Sequence, residues 1–302
     1  MIDYDPHRWR DNFLDLHGTM FKTIAYRSFY AMVAAALVTF LYERVLKFPP
    51  TDRIHALIGT ALSLLLVFRT NASYDRFWEA RKLWGAIVNE SRNLARSSSV
   101  LLSSEPDLVS RVVWLAAAFP YACMHALRGS KAIGPLEREM PPEVSAGLTA
   151  AQHVPLAITA RMSAAVNEAR LRGAITDIQQ SMIDQNAQLL IDYIGGCERI
   201  RKTPLPFAYV IHLRRALAIY CGTLPLALVS SFHWWTLPIT LLVSFILLGI
   251  EEIGVEIEEP FGTDANDLPL DAICATIEAN VKAFLPAPTA PAPAPEVREV
   301  AA

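Results

Sequence analysis

Three side chains in one apolar segment, Thr60, Leu64 and Phe68, have the spacing needed to line a narrow passage. Residues four apart on an α-helix lie on the same face, so a helix here carries them along one edge. On an ordinary membrane helix, that edge faces lipid or a neighbouring helix. If several subunits turned it towards a common axis, it would form a hydrophobic constriction that gates by dewetting.

Motifs for covalent chemistry are missing from the sequence. It contains no GxSxG, Walker loop, HExxH pair or dinucleotide fingerprint. The seven histidines are dispersed without ligand spacing. The four cysteines form no CxxC pair and predict neither a zinc site nor a disulfide framework. We therefore expect neither an enzyme nor a bound cofactor.

Composition favours a chain with a few membrane spans and a substantial water-exposed part. Hydrophobic residues make up 53% and charged residues 19% of the 302 residues, against about 45–50% and about 25% in soluble domains. The formal net charge of -3 and the absence of a basic arm argue against a nucleic-acid partner.

Four apolar runs predict an all-α membrane protein with four transmembrane helices in two hairpins. The predicted spans are about 28–46, 54–76, 208–229 and 234–255. Each apolar core is shorter than the roughly 20 residues that cross a bilayer, so flanking residues must complete the crossing. The alternative is a soluble all-helical protein with buried core helices, which four runs in two close pairs disfavour.

The region between the hairpins, about 77–205, is predicted to be a cytoplasmic helical bundle. Its helices are expected at about 76–103, 106–128, 155–171 and 176–201. The second run continues into the first of these without a proline, so one long helix could leave the membrane. The Pro/Ala-rich tail, 285–302, is predicted to be disordered because it cannot bury a core.

Basic residues predict the orientation in the membrane. Lys and Arg flank the runs on the side of the termini and the middle region, whereas the loop 230–233 has none. Arg44, Lys47 and Arg53 in the first hairpin loop blur this asymmetry. The positive-inside rule then places both termini in the cytoplasm. The N-terminus does not have the composition of a signal peptide, so we expect a multi-pass protein of the inner (plasma) membrane.

Two motifs of this sequence resemble the bestrophin family. SYDRFWEARKLWG (73–85) follows the apolar helix that carries Phe68, and IEEPFGTDANDLPLD (257–271) follows the fourth run. The resemblance covers about 5–284 and indicates one channel domain, 1–284, of the short prokaryotic type. It implies a homopentamer around a central pore. It also implies passive conduction, usually of chloride and other small anions.

The resemblance also implies roles for individual residues. Thr60, Leu64 and Phe68 match the neck of the pore, although the family neck is all large and apolar. Thr60 departs from that pattern, and its hydroxyl should wet the outer end. Ile178 matches a second, cytosolic aperture; the alternative is an ordinary buried helix residue.

Asp264 and Asp267 match two carboxylate ligands of the calcium clasp of animal bestrophins. Here Thr263, Ala265 and Asn266 interrupt the acidic run, so we expect weak or absent calcium binding. Capping and turn formation around the preceding Pro-Phe-Gly is the alternative role.

The sign of the conducted ion stays open at this point. The resemblance favours chloride, but Asp177 beside the predicted aperture would attract cations, so a monovalent cation channel is the alternative. A non-conducting membrane scaffold is a third interpretation. A secondary transporter is disfavoured because the sequence has no inverted repeat and no pair of broken helices. The expected partners are further copies of the chain, membrane lipids and inorganic ions.

Overall fold

The computed structural model describes residues 7, 20–47, 49 and 52–287. All regular secondary structure within these residues is helical, which confirms the all-α prediction. The helices are α1 (Phe21–Arg44), α2 (Asp52–Leu101), α3 (Pro106–Leu127), α4 (Leu136–Glu139), α5 (Pro142–Ser145), α6 (Val154–Leu171), α7 (Asp177–Lys202), α8 (Phe207–Phe232), a 3-10 turn (His233–Trp235), α9 (Thr236–Glu256) and α10 (Leu270–Lys282).

Both ends of the sequence lie largely outside the described residues. The tail predicted at 285–302 is outside them from residue 288 onward. Most of the N-terminal segment, whose cytoplasmic placement was predicted, is also outside them. The chain divides into two compact units, one of 1–86, 127–130 and 192–271 and the other of 87–126, 131–191 and 272–302. The single channel domain 1–284 stays a prediction.

Helix α2 is one continuous helix of 50 residues. It contains no proline, and Asp52 in its first turn complements the helix dipole. At 1.5 Å per residue it is about 75 Å long, more than twice the roughly 30 Å of a bilayer core. The two segments predicted at 54–76 and 76–103 are therefore parts of a single helix.

Small side chains let α1 pack closely against α9 in the first unit. The buried positions of α1 are Ile24, Ser28, Ala31, Ala35 and Thr39. On α9 the buried positions begin with Thr236, Thr240 and Ser244, spaced four apart. Small residues at such spacing bring membrane helices together. The same stripe explains why α1 begins at Phe21 and not near 28, because Ile24 and Ser28 extend its buried face.

The apolar helices of the first unit expose most of their surface. In α1, α2 and the α8–α9 pair, between 22% and 28% of the most apolar stretch is buried. Helix α3 is also apolar and long enough to cross a membrane, but 78% of its apolar stretch is buried. Exposed apolar faces suit lipid contact, whereas α3 belongs to the core of the second unit. The four predicted spans stay a prediction.

Helix α10 was missed by the sequence interpretation. Its buried residues Cys274, Ile277 and Val281 recur at helical spacing. At its end, Lys282 lies 4.9 Å from the ring centroid of Trp114 and pairs with Glu278. The motif 257–271, at whose end α10 begins, was described from the sequence, but no helix was predicted after it.

Candidate pore-lining surface

The three predicted neck residues lie along one exposed edge of α2. Leu64 and Phe68 are each 56% exposed, and Thr60 is exposed one turn before them. Leu62 and Leu66, on the opposite face, are almost fully buried against Leu213 and Leu217 of α8. The neck edge is thus left open by the described residues of its own chain, whereas the other face is anchored.

The Thr60 hydroxyl is held by its own helix. It donates a hydrogen bond to the carbonyl oxygen of Ala56 at 2.9 Å. Ser63 donates in the same way to Gly59 at 2.8 Å, and Thr70 to Leu66 at 3.0 Å. Such bonds satisfy the hydroxyl donor inside an apolar helix. The oxygen lone pairs of Thr60 are what remains to contact water at the exposed edge.

A buried ion pair holds α2 directly beside this edge. Arg69 Nη2 lies 2.6 Å from Glu258 Oε2, and Arg69 Nη1 donates to Ser73 Oγ at 2.5 Å. The other oxygen of Glu258 accepts from the backbone N–H of Leu205 at 3.1 Å. Because the Arg69 side chain is only 1% exposed, this pair is a structural tie between α2 and the segment after α9.

Arg76, about two helical turns after Arg69, makes further contacts between α2 and the rest of the first unit. Its guanidinium donates to the carbonyl oxygens of Thr203 at 2.5 Å and Ile200 at 2.7 Å, at the end of α7. It also donates to the carbonyl of Glu258 at 3.3 Å. These contacts satisfy carbonyl groups that a helix end leaves unpaired. This network was not predicted from the sequence. The available signal was Arg69, an arginine directly after the second apolar run, which would need a counterion if buried.

Ile178 lies in the first turn of α7 and is 74% exposed. The buried face of the helix carries Ile183, Ala187 and Leu190, while Met182 is exposed with Ile178. The described residues of its own chain therefore do not bury Ile178, which the alternative interpretation had expected to be buried. Its role as an aperture stays a prediction.

Asp177, the predicted source of cation attraction, is already paired. Its carboxylate accepts a hydrogen bond from Arg170 Nε. This bond and the arginine charge hold the pKa of Asp177 below its usual range, and they raise the pKa of Arg170 in turn. Because the charges compensate each other, the attraction that Asp177 exerts on a passing cation is weakened.

The carboxylate of Asp267 closes a turn. Its Oδ2 accepts from the backbone N–H of Asp264 at 2.7 Å, and its side chain is buried. A Cβ atom at Gly262 would come within 2.6 Å of the same oxygen, so a side chain there would have to displace the Asp267 carboxylate. Burial raises the pKa of Asp267, although the hydrogen bond from the Asp264 N–H lowers it. The negative charge of Asp264 adds to the increase. This is the turn-forming role that the sequence left as an alternative.

The residues present do not fit a calcium site. Calcium takes six to eight oxygen ligands. Asp267 already serves the turn, while Asp264 is exposed. Within the described part of the chain, no group of three or more His, Cys, Asp or Glu residues could hold a metal ion.

Similarity to known proteins extends along most of the chain. A family described as "Bacterial/Fungal Bestrophin protein" matches residues 1–283. A voltage-dependent anion channel-forming protein of Nostoc sp. is 40% identical over 90% of either chain. One of Escherichia coli O157:H7 is 32% identical over 92% of either chain. A crystal structure of a bacterial bestrophin homolog from Klebsiella pneumoniae superposes with a TM-score of 0.81, at 33% identity, over 86% of this chain and 97% of that one.

Proposed function

Because the chain belongs to the bacterial and fungal bestrophin family, we propose that it forms a passive, anion-selective channel from several copies of itself. The observation that carries the proposal is the exposed edge of α2, in a chain whose relatives are named voltage-dependent anion channel-forming proteins. Five copies, as the family resemblance implies, would bring five such edges to one axis.

The proposed neck works through the energetics of wetting. Leu64 and Phe68 offer no hydrogen bonds, so an ion passing them must shed part of its hydration shell. Large, weakly hydrated anions lose less by this than small, strongly hydrated ions. Thr60 offers an oxygen at one end of the edge, and water there eases entry. The opposite face of α2 packs against α8 through Leu62 and Leu66, which fixes the direction in which the exposed edge faces.

Anion selectivity is supported by two observations. The names of the relatives specify anion channels. In addition, Arg170 compensates Asp177 beside the proposed aperture at Ile178, which reduces the local pull on cations. A monovalent cation channel of the same architecture is the alternative, and the uncharged neck does not discriminate between the two.

Reversal potentials test ion sign. The purified protein is inserted in a planar bilayer with a tenfold gradient of potassium chloride. We expect the current to reverse near the chloride equilibrium potential. Reversal near the potassium value would replace the anion channel with the cation channel.

Ion flux and particle mass test the channel itself. Liposomes that stay ion-tight after reconstitution of a folded oligomer would favour the non-conducting scaffold. Mass measurement of the detergent-solubilised particle should give five subunits. A monomeric particle would remove the central pore, because one exposed edge cannot enclose a passage.

The proposed setting is the inner (plasma) membrane, with the region around α3 to α7 in the cytoplasm. The support is the distribution of Lys and Arg, of which loop 230–233 has none. No cofactor takes part in this proposal. Calcium is not part of it either, since one oxygen of the Asp267 carboxylate already accepts a hydrogen bond from its own turn.

A further inference from the structure

A crevice of about 400 Å³ lies among α1, α8 and α9. Its middle is lined by small and apolar side chains, including Ala34 on α1, Ala218 and Gly222 on α8, and Leu248 on α9. A Cβ atom built on Gly222 meets nothing within 4 Å. The small side chains on α1 and α8 therefore leave an apolar space between these helices.

Two arginines line the same crevice. Arg214 Nε donates to Glu251 Oε1 at 2.9 Å, and Arg27 Nη1 donates to Glu252. The arginine side chains are 45% and 46% exposed, whereas the two carboxylates are 3% and 11% exposed. Both carboxylates are thus more buried than the guanidinium groups, and Glu251 also lines the crevice. Among the described residues, each arginine uses only one nitrogen for these bonds, and a guanidinium offers five N–H donors.

Aromatic side chains indicate how deep this charged part of the crevice lies. Tyr30 lines the crevice, and its ring contacts Tyr26 at a centroid distance of 4.9 Å. Tyr26, Phe29 and Tyr30 are all more than half exposed. Exposed aromatic rings of this kind collect at the membrane–water interface. If these rings mark that interface, the arginines lie at headgroup depth, and the part of the crevice around Gly222 and Leu248 extends into the hydrocarbon.

We propose that this crevice binds one anionic phospholipid per subunit. The lipid phosphate accepts hydrogen bonds from Arg27 and Arg214, and one acyl chain lies along Ala34 and Gly222. The support for an anion is that the arginines are the exposed members of two ion pairs, and that Arg215, the next residue along α8, is unpaired with Glu251 or Glu252 and exposed. A zwitterionic headgroup would bring its own cation against the arginines and bind less well. This site goes beyond the proposed ion conduction.

Native mass spectrometry of the full-length protein in detergent tests the site. The probe is dioleoyl phosphatidylglycerol, compared with dioleoyl phosphatidylcholine. We expect phosphatidylglycerol to bind about tenfold more tightly, the effect of roughly one charge-assisted hydrogen bond. Gly222→Leu fills the crevice and leaves both arginines in place, so phosphatidylglycerol binding should fall by about tenfold. Arg214→Gln should produce a similar loss.

Arg44→Gln is the matched control, because Arg44 is an exposed arginine at the other end of α1. It should leave the difference between the two lipids unchanged. Equal binding of both lipids, or full phosphatidylglycerol binding by Gly222→Leu, would overturn the proposal. So would competition by equimolar inorganic phosphate, since the ligand would then be a free anion. A changed subunit number in Gly222→Leu with lipid binding intact would assign the crevice to another copy of the chain. The readout needs no ion flux, so this test and that of the channel fail separately.

Discussion

The guanidinium of Arg69 lies 2.6 Å from the carboxylate of Glu258, one residue beyond Phe68 at the end of the exposed edge of α2. The two residues are 189 positions apart in the chain. The pair therefore fixes the helix that carries the proposed neck to the segment that follows the last apolar helix. Since Glu258 also accepts from the Leu205 N–H, a change at this carboxylate affects α2, the segment before α8 and the segment after α9.

Replacing Glu258 with Gln should destabilise the protein strongly. It leaves the buried Arg69 charge without its counterion, which costs about 3 kcal/mol. Melting of the purified protein in detergent measures the loss, and Arg69→Gln with Glu258→Gln together should recover most of it. Glu79→Gln, which breaks the exposed Arg199–Glu79 pair, is the control and should cost less than about 1 kcal/mol. Equal effects of the two single changes would contradict a buried tie.

Shortening the neck side chains should raise conductance. Leu64→Ala combined with Phe68→Ala removes the bulk of the exposed edge, so the constriction widens and holds more water. Single-channel recording in a planar bilayer should show current several times that of the unchanged protein. Leu66→Ala is the control, because Leu66 points to the buried face and its loss should reduce stability instead. An unchanged current in the double variant would mean that this edge faces lipid.

Ile178→Ala should change how the channel ranks ions by size. A smaller side chain at the aperture reduces the dehydration that large and small anions undergo differently. Permeability ratios for chloride, bromide and nitrate from reversal potentials measure this. Ile183→Ala, on the buried face of the same helix, should leave the ratios as they were. If Ile178→Ala also leaves them unchanged, the aperture lies elsewhere.

Removing Arg170 should increase relative cation permeability. Arg170→Gln frees the Asp177 carboxylate from its counterion, and the pKa of Asp177 should return towards its usual range. At neutral pH the carboxylate stays ionised and attracts cations, so the reversal potential should move towards the potassium value. Arg170→Gln combined with Asp177→Asn should restore the original reversal potential. Identical potentials in all three proteins would show that this pair does not face the ion path.

Asp267 should make stability fall as pH rises. Burial raises its pKa in the folded protein above the unfolded value of about 3.9. The folded state therefore holds the proton to higher pH, and the free energy of unfolding decreases as pH rises from about 4 through the folded pKa. Asp267→Asn keeps an oxygen for the Asp264 N–H without this charge, so its melting temperature should vary less with pH. A steeper dependence in the variant would contradict the assignment.

The helices of the membrane part could be predicted because each depends on local composition. The apolar runs and the absence of proline are sufficient for α2, and the spacing of Thr60, Leu64 and Phe68 places them on one face of any helix. The side of α2 that becomes covered could not be predicted, since it depends on Leu213 and Leu217, which are remote in sequence.

Ion pairs between residues far apart in the chain could not be predicted from the sequence either. Arg27 and Glu252 are 225 residues apart, and neither residue is distinctive in its own neighbourhood. Asp177 was interpreted as a free charge because the pairing with Arg170 depends on the turn between α6 and α7. Asp267 was interpreted through a family motif, while its backbone contact within the same turn decides its role.

The uninterrupted course of α2 restricts how a passage built from it can open. Kinks in helices arise at proline, at Gly/Ser pairs or where the hydrogen-bond ladder is interrupted. Helix α2 has no proline from Asp52 to Leu101, and the Gly59–Ser63 pair is its candidate bending point beside the proposed neck. A helix without a proline hinge does not fold back sharply at its middle. Dilation then comes from rotamer changes of Leu64 and Phe68, from bending near Gly59, or from tilting of each helix. Bending or tilting would move Thr60, Leu64 and Phe68 together, because one helix carries all three.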